Sequence, residues 1–279
     1  MRWRDQRQST NVEDRRGMGG RGIAIGGGGL GMLVIILVIY LCGGGDLSQL
    51  LRNLPSTTQP EQPQTRNEPA QQPPAGDDQA QFARAVLGST EDIWNQVLPQ
   101  QARIRYREPK LVLFTDQVAS ACGYASAATG PFYCPGDQKL YLDFGFFREL
   151  KNQFRAPGDF AEAYVIAHEV GHHVQNLLGT MDKVNRAGNS NSLSVRLELQ
   201  ADCYAGVWAF YANQKGQVEA GDPEEALRAA SAVGDDTIQK RTQGYVVPDS
   251  FTHGSSRERM QWFAQGFKSG DMRQCDTFR

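Results

Sequence analysis

The sequence lacks the features that mark nucleic-acid-binding proteins and disulfide scaffolds. Its 29 basic and 31 acidic side chains leave a formal net charge of −2, whereas a general nucleic-acid binder has a strong basic excess. Five cysteines in 279 residues are too few for a small fold held together by disulfides. Histidine is also scarce: the chain has four, and three of them lie between positions 168 and 173. We therefore expect no nucleic-acid partner, and the histidine cluster is the main candidate for a functional site.

Charge is absent from residues 22–45, and the most apolar part of this segment is 30–42. A membrane-spanning helix needs about 20 predominantly apolar residues, so we predict a transmembrane signal anchor at residues 23–43. The preceding residues 1–22 contain six arginines, which by the positive-inside rule form a basic arm in the cytoplasm. These features predict a single-pass protein of the inner (cytoplasmic) membrane whose remaining chain is periplasmic or extracellular.

Two other interpretations of the apolar segment stay open at this stage. A cleaved signal peptide has a similarly short apolar core followed by small residues. A lipoprotein signal matches less well, because the bulky Tyr40 and Leu41 precede Cys42. Each of the three interpretations exports the rest of the chain.

Residues 44–80 are rich in proline and glutamine and contain few apolar side chains. Such a segment buries too little surface to offset the entropy of ordering it, so we predict a disordered linker. The remaining residues, 81–279, are enough for one domain with a substantial core.

Four of the five cysteines lie in this domain, and an even number in an exported domain favours two disulfides. We predict that Cys122 pairs with Cys134 across a short loop that contains glycine and proline. Cys203 would then pair with Cys275 and tie the C-terminal tail to a central helix. The sequence allows three pairings. Metal binding by these cysteines is the rival interpretation, although no CxxC pair supports it.

The patterns of the domain predict strands first and mostly helices afterwards, which is an α+β arrangement. Residues 111–116 and 139–147 are rich in β-branched or aromatic side chains and are predicted strands. Residues 89–92, starting at Ser89, resemble a capping box for a following helix. We expect a small antiparallel or mixed sheet and a helical C-terminal part. Helices are predicted at 93–98, 159–179, 194–213, 223–232, 235–242 and 256–267.

His168, Glu169 and His172 form an HExxH sequence within the predicted helix 159–179. At a spacing of four residues, both imidazoles project from one face of a helix and can bind one zinc ion. The glutamate beside the first histidine is placed to take a proton from water at that ion. His173 projects about 100° away from His172 and is not an expected ligand. The alternative is that these histidines have a structural role.

A catalytic zinc ion has three protein ligands and one open position, so a third ligand is needed. Only His253 lies outside the histidine cluster, which favours a carboxylate. Glu198 and Asp202 are four residues apart on the predicted helix 194–213 and have apolar neighbours. Two acids on one face of a buried helix need partners. Glu198 as a zinc ligand and Asp202 as the hydrogen-bond acceptor of a ligand histidine would provide them. The alternative is pairing of both acids with arginines such as Arg196.

Four longer segments surround these motifs: ACGYASAATGPFYCPGDQKLYLDFGFF at 121–147, GDFAEAYVIAHEVGHHVQNLLG at 158–179, RLELQADCYAGVWA at 196–209 and SFTHGSSRERMQWF at 250–263. Together they resemble the bacterial putative neutral zinc metallopeptidase family, and HEVGH followed by ExxxD is similar to the gluzincin pattern. The resemblance implies a zincin-like fold in a membrane-anchored endopeptidase that acts on a peptide or protein substrate. It also implies that His168, His172 and Glu198 bind one Zn²⁺ per chain and that Glu169 is the general base.

Amide hydrolysis also requires a donor for the oxyanion that develops on the substrate. His253 is the candidate, because it stands just before a predicted helix N-terminus. Arg257, Arg259 and Tyr164 are weaker alternatives. The other role open to His253 is that of a turn or capping residue.

The predicted strand 139–147 is also the expected substrate-binding strand. In the zincin fold that the resemblance implies, an edge strand beside the active-site helix pairs with the extended substrate, which is β-augmentation. Phe144, Phe146 and Phe147 would then form an apolar specificity wall. The alternative is an ordinary core strand.

Two other functions stay open. One is an exported zinc-binding scaffold or envelope assembly module without proteolytic activity, and the other is metal-dependent hydrolysis of a non-peptide bond. Glu169 argues for an enzyme, because a scaffold has no use for a general base. The sequence predicts neither the physiological substrate nor the oligomeric state.

Overall fold

The computed structural model describes residues 1–17, 76–188 and 190–279. The predicted anchor at 23–43 and nearly all of the predicted linker at 44–80 lie outside these residues. Across the described ranges, no helix combines the length and the apolar character that crossing a membrane requires.

The described residues form a four-stranded mixed sheet and a separate two-stranded hairpin. The sheet contains β1 (Val12–Asp14), β2 (Lys110–Phe114), β5 (Phe132–Cys134) and β6 (Lys139–Asp143), and the hairpin pairs β3 (Gln117–Ser120) with β4 (Gly123–Ser126). The order in the sheet is β1-β2-β6-β5, with β5 antiparallel and the other strands parallel. Residues 111–114 of β2 are buried without interruption, as expected for a central parallel strand covered on both faces.

Helices dominate the chain after residue 143, which confirms the predicted α+β class. The helices predicted from 159, 194, 223, 235 and 256 are all present, with ends shifted by no more than three residues. The helices of the described part are α1 (Asp78–Ala102), α2 (Phe144–Asn152), α3 (Asp159–Leu177), α4 (Thr180–Ala187), α5 (Asn191–Gln214), α6 (Asp222–Ala232), α7 (Asp235–Thr242) and α8 (Ser256–Ser269).

The first helix of the domain begins earlier than predicted. Asp77 caps α1, because its side chain accepts a hydrogen bond from the backbone amide of Ala80, and the helix continues through Ser89. The predicted capping box at Ser89 is therefore wrong. The Ser89 hydroxyl is buried and donates to Gln217 while it accepts from the Trp208 indole. These tertiary partners override the local preference of serine for a helix start.

The predicted strand 139–147 is a strand only as far as Asp143. The Asp143 side chain accepts a hydrogen bond from the Gly145 amide and caps α2, so the phenylalanines that follow lie on a helix. β6 lies between β2 and β5. The prediction that this segment is an edge strand is therefore wrong, and the edge strand that contacts α3 is β5.

Residues 1–16 belong to the same compact unit as the domain. β1 extends the sheet in parallel to β2, with Val12 opposite Leu111, and the Met1 side chain is part of the core. The predicted division between a separate basic arm at 1–22 and a domain at 81–279 thus differs from the structure. Arginines of this segment pair with acids of the domain: Arg4 with Asp78, Arg7 with Glu91 and Arg16 with Asp77.

Both predicted disulfides are present, Cys122–Cys134 and Cys203–Cys275. Cys203 lies on α5 and Cys275 follows α8. The second bond therefore fastens the C-terminal tail to a central helix, as predicted.

α5 and α8 pack with their backbones in close approach. A Cβ added at Gly206 would lie 2.1 Å from the Phe263 carbonyl oxygen, and one at Gly266 would lie 2.0 Å from a carbonyl oxygen of α5. Any larger residue at either position would force the helices apart. The two glycines thereby fix α8, which carries Arg259, against α5, which carries Asp202.

Candidate metal centre

A close crossing of α3 and α5 brings the predicted metal ligands together. Gly171 lies inside the HExxH sequence, and a Cβ added there would lie 2.8 Å from the carbonyl oxygen of Ala201 on α5. A side chain at this position would separate the helices. The glycine therefore allows His168 and His172 on α3 to face Glu198, which lies three residues before Ala201 on α5.

The ligand atoms of His168, His172 and Glu198 converge. Nε2 of His168 lies 3.1 Å from one carboxylate oxygen of Glu198, and Nε2 of His172 lies 3.3 Å from the other. One ligand atom from each of the three residues lies within 4.8 Å of the others. A tetrahedral zinc ion with bonds of about 2.0–2.1 Å holds its ligand atoms about 3.3 Å apart. The donor set and its spacing therefore fit zinc.

Each of the two histidines is oriented through its other ring nitrogen. Oδ1 of Asp202 lies 2.8 Å from Nδ1 of His168, and Oε1 of Gln175 lies 2.9 Å from Nδ1 of His172. These oxygens accept, so Nδ1 carries the proton and Nε2 keeps its lone pair for a metal ion. Sequence reasoning missed Gln175. Its position three residues after His172 on the same helix face is the signal that would have found it.

Asp202 is fully buried and is bound by two further side chains. Arg259 donates from Nε and Nη2 to its two oxygens at 2.8 and 3.0 Å, and the Tyr164 hydroxyl donates to Oδ1 at 2.5 Å. Burial raises the pKa of Asp202, but Arg259 and His168 offset this effect and hold the pKa below its ordinary value. Asp202 is therefore an anion at neutral pH. The guanidinium of Arg259 and the hydroxyl of Tyr164 therefore both point at Asp202.

The remaining arginines named from the sequence lie away from the ligands. Arg196 donates to the carbonyl oxygens of Thr277 and Arg279. The arginine that pairs with the two acids is instead Arg259, whose guanidinium lies 2.8 Å from Asp202 and 4.0 Å from Glu198. Arg257 is exposed at the start of α8.

Glu169 lines the same cavity as the three candidate ligands and is buried. Burial raises the pKa of the Glu169 carboxyl, and although His172 and His168 lower it, the pKa stays above its ordinary value. A carboxyl group with a raised pKa is better matched to accepting and returning a proton near neutral pH.

His253 reaches this cavity from the loop before α8, where Asp235 holds it. One Asp235 oxygen accepts hydrogen bonds from the backbone amides of residues 252–254 at 2.6–3.1 Å. The other oxygen lies 3.1 Å from Nδ1 of the imidazole. The hydrogen bond to Asp235 raises the pKa of His253, although burial opposes it. Sequence reasoning missed Asp235, because it belongs to α7 and no local pattern links it to His253.

The cavity has a volume of about 680 Å³, which lies within the range of ligand-binding cavities. Besides the metal centre and His253, its wall contains residues 129–133, at the start of β5. The other apolar side chains of the wall are Phe146, Phe154, Val165, Met181, Leu197, Val233 and Ile238.

Two of the three phenylalanines predicted to form a specificity wall lie elsewhere. Phe144 and Phe147 are buried in the hydrophobic core, and Phe146 alone of the three lines the cavity. The difference follows from the helical form of α2, which turns successive side chains to different sides.

His173 is a core residue. Its Nδ1 lies 3.0 Å from the Tyr133 hydroxyl and its Nε2 lies 2.6 Å from the Arg107 carbonyl oxygen. Burial lowers the pKa of His173 to about 4, so the ring is neutral. Both nitrogens are engaged away from the candidate ligands.

The chain is similar to proteins of one family. The family model described as "Putative neutral zinc metallopeptidase" matches residues 1–278. The chain is 46% identical over 292 residues to the uncharacterized protein YpfJ of Escherichia coli K12, with 100% of this chain and 99% of that protein covered. It is 46% identical over 206 residues to the uncharacterized protein Rv2575 of Mycobacterium tuberculosis, with 70% of this chain and 69% of that protein covered. No solved structure matches the chain.

Proposed function

Because the chain belongs to the putative neutral zinc metallopeptidase family, we propose that it is a zinc-dependent endopeptidase that hydrolyses peptide bonds in protein or peptide substrates. The convergence of His168, His172 and Glu198 beside Glu169 in one cavity carries this proposal. Two imidazoles and one carboxylate suit one zinc ion per chain. Hydrolysis requires a general base, and the buried Glu169 beside the candidate ligands can act as one. A purely structural zinc site requires no general base.

The contacts of each side chain define its proposed role. Zinc bound by His168, His172 and Glu198 would supply a Lewis acid for water and for the substrate carbonyl. Glu169 accepts the proton of the attacking water and returns it to the leaving amine. Asp202 keeps His168 in the tautomer that presents Nε2 and makes the ring a more basic ligand.

β5 is the strand proposed to pair with the substrate backbone. Among the described strands, β6 is its one neighbour, and Phe132 and Tyr133 of β5 border the cavity. An extended peptide adds to such an edge through main-chain hydrogen bonds. This pairing would lay the scissile bond across the metal centre.

The apolar part of the cavity wall predicts a preference for a bulky apolar side chain next to the scissile bond. Two peptides that differ only in leucine or glycine at that position should differ in kcat/KM in favour of leucine by at least the roughly 10–200-fold that one methylene is worth in an apolar pocket. Kinetics with such matched pairs measure the effect. Equal rates would show that Phe146, Val165 and Ile238 do not contact the substrate.

The proposed activity is tested with the full chain, because residues 1–16 belong to the domain. We expect the purified protein to hold one zinc ion per chain and to cleave an unfolded protein. Chelation should abolish cleavage, and added zinc should restore it. Zinc binding without cleavage of a broad set of unfolded proteins would favour the exported zinc-binding scaffold. Cleavage of esters but of no peptide would favour a non-peptide hydrolase.

His253→Ala is expected to lower kcat/KM by about 10²–10³-fold with unchanged zinc content. The substitution removes a donor from the wall of the cavity in which the substrate oxyanion develops. Peptide kinetics and zinc analysis of the same preparation provide the test. Unchanged activity would leave His253 as a turn residue.

Asp235→Asn should shift the pH profile through His253. Asp235 raises the pKa of His253, so its replacement lowers that pKa. The donor is the protonated ring, which exists below the pKa, and the alkaline limb of kcat/KM should therefore move to lower pH. Glu198 and Arg259 also affect this pKa, and both are retained in the variant. An unmoved limb would contradict the role of His253 as a cationic donor.

The two disulfides favour an oxidising compartment, and we propose that the domain lies outside the cytoplasm. Attachment to the inner membrane through residues 23–43 stays a prediction.

A further inference from the structure

The buried carboxylate of Glu91 takes its partners from the first residues of the chain. The Glu91 side chain lies on α1 and is 1% exposed. It accepts hydrogen bonds from Arg7 at 2.7 Å, from the Ser9 hydroxyl at 2.6 Å and from the Asn11 amide at 2.8 Å. A buried carboxylate that loses such partners is strongly destabilising. The stability of the domain therefore depends on the segment that supplies these partners of Glu91.

α1 is also shaped to receive the backbone of this segment. A Cβ added at Gly88 would lie 2.4 Å from the carbonyl oxygen of Arg7, so a larger residue would displace either the segment or the helix. The Ser9 amide donates to the Arg84 carbonyl at 3.0 Å, and Nη2 of Arg7 donates to the Gly88 carbonyl at 3.0 Å. Backbone contacts this close indicate a specifically packed interface and not only an electrostatic attraction between charged side chains.

The sheet continues into the same segment. The Leu111 amide of β2 donates to the Asn11 carbonyl at 2.9 Å, and three residues of β1 are in register with β2. Glu13 of β1 accepts from Nζ of Lys139 on β6 at 2.9 and 3.1 Å. Residues 1–16 thus contact a helix and two strands of the domain.

We propose that residues 1–16 are an integral part of the metallopeptidase fold and lie in the same compartment as residues 76–279. One membrane crossing between the two parts would place β1 and β2 on opposite faces of a bilayer, where their hydrogen bonds do not form. A cytoplasmic arm joined to an exported domain is therefore incompatible with this interface. The inference rests on contacts of the fold and not on the proposed peptidase activity, so either can fail alone.

Thiol labelling in cells tests the shared compartment. In a Cys42→Ser background, a cysteine replaces either Arg4 or Arg273 of the full chain, whose side chains are 66% and 79% exposed. Spheroplasts are treated with a membrane-impermeant maleimide, and lysed cells serve as the reference for full reaction. We expect both positions to be labelled or both to be protected. Labelling of one position with protection of the other would overturn the proposal.

Thermal unfolding of the purified full chain tests the integral role of the segment. Arg7→Ala removes the ion pair of Glu91 and should lower Tm by roughly 4–8 °C. The matched control Arg4→Ala removes an exposed pair with Asp78 and should change Tm by less than about 2 °C. Equal Tm values for the two variants would mean that the segment does not stabilise the domain.

Discussion

Glu169→Gln is expected to lower kcat by about 10²–10⁴-fold while the protein keeps its zinc and its fold. Glutamine has nearly the same shape as glutamate, but its amide cannot accept the proton of the attacking water. The candidate ligands His168, His172 and Glu198 are untouched. Steady-state cleavage of an unfolded protein, together with zinc analysis and thermal unfolding, measures the three quantities on one preparation.

Glu162→Gln is the matched control for this substitution. Glu162 lies on α3 as well, two turns before Glu169, and it is not among the residues that line the cavity. Burial and the nearby Asp159 raise the pKa of Glu162 to about 7, so the control also replaces a carboxyl group with a raised pKa. We expect its kcat to be unchanged. A similar loss in both variants would point to distortion of α3, and full activity of Glu169→Gln would remove Glu169 from the mechanism.

Local spacing was enough to predict the candidate ligands. Helix geometry places His168 and His172 on one face of α3 and places Glu198 and Asp202 on one face of α5. The scarcity of histidine then favoured a carboxylate as the third ligand. The structure adds the physical reason why the two faces meet, which is the close approach of Gly171 to Ala201.

The side chains that position these residues were harder to predict. Asp235 and Arg259 lie on α7 and α8, and their roles depend on how those helices pack against α3 and α5. A sequence pattern describes residues that are neighbours on one element, whereas these contacts join different elements. The sequence offers Arg259 only as a weaker alternative to His253 for the oxyanion donor, and its pairing with Asp202 emerges only from the packing.

The errors in the fold have the same origin. Asp143 ends a strand whose apolar and aromatic pattern continues to residue 147, and its side chain caps the helix that follows. β1 is three residues long and pairs with residues about a hundred positions away, so no local signal marks it. The arginines of residues 1–16 predict a separate basic arm, because the sequence shows their charge but not the acidic side chains of the domain with which they pair.

Asp202→Ala is expected to lower the free energy of unfolding by about 3–5 kcal/mol and the zinc affinity by about 10–100-fold. The substitution leaves the guanidinium of Arg259, which is 4% exposed, without its carboxylate. It also leaves Nδ1 of His168 without its acceptor. Urea unfolding of the zinc-free protein measures the first effect, and competition with a chelator of known affinity measures the second.

Asp78→Ala provides the control for removal of an aspartate. Asp78 pairs with Arg4 at the surface, where the two side chains are 65% and 66% exposed. Such a pair contributes about 0–1 kcal/mol, and Asp78 lies outside the metal centre. We expect little change in the free energy of unfolding and none in zinc affinity. A loss of unfolding free energy as large as that of Asp202→Ala would show that the destabilisation does not depend on burial of the ion pair.

Asp202→Ala combined with Arg259→Met separates the two effects. Replacement of both members of a buried ion pair by uncharged residues is often close to neutral, so the double variant should recover most of the lost stability. Zinc affinity should stay low, because His168 still lacks its acceptor. Recovery of zinc affinity together with stability would mean that Asp202 acts on the metal centre only through the fold. Failure to recover stability would mean that the loss came from a packing defect and not from the unpaired charge of Arg259.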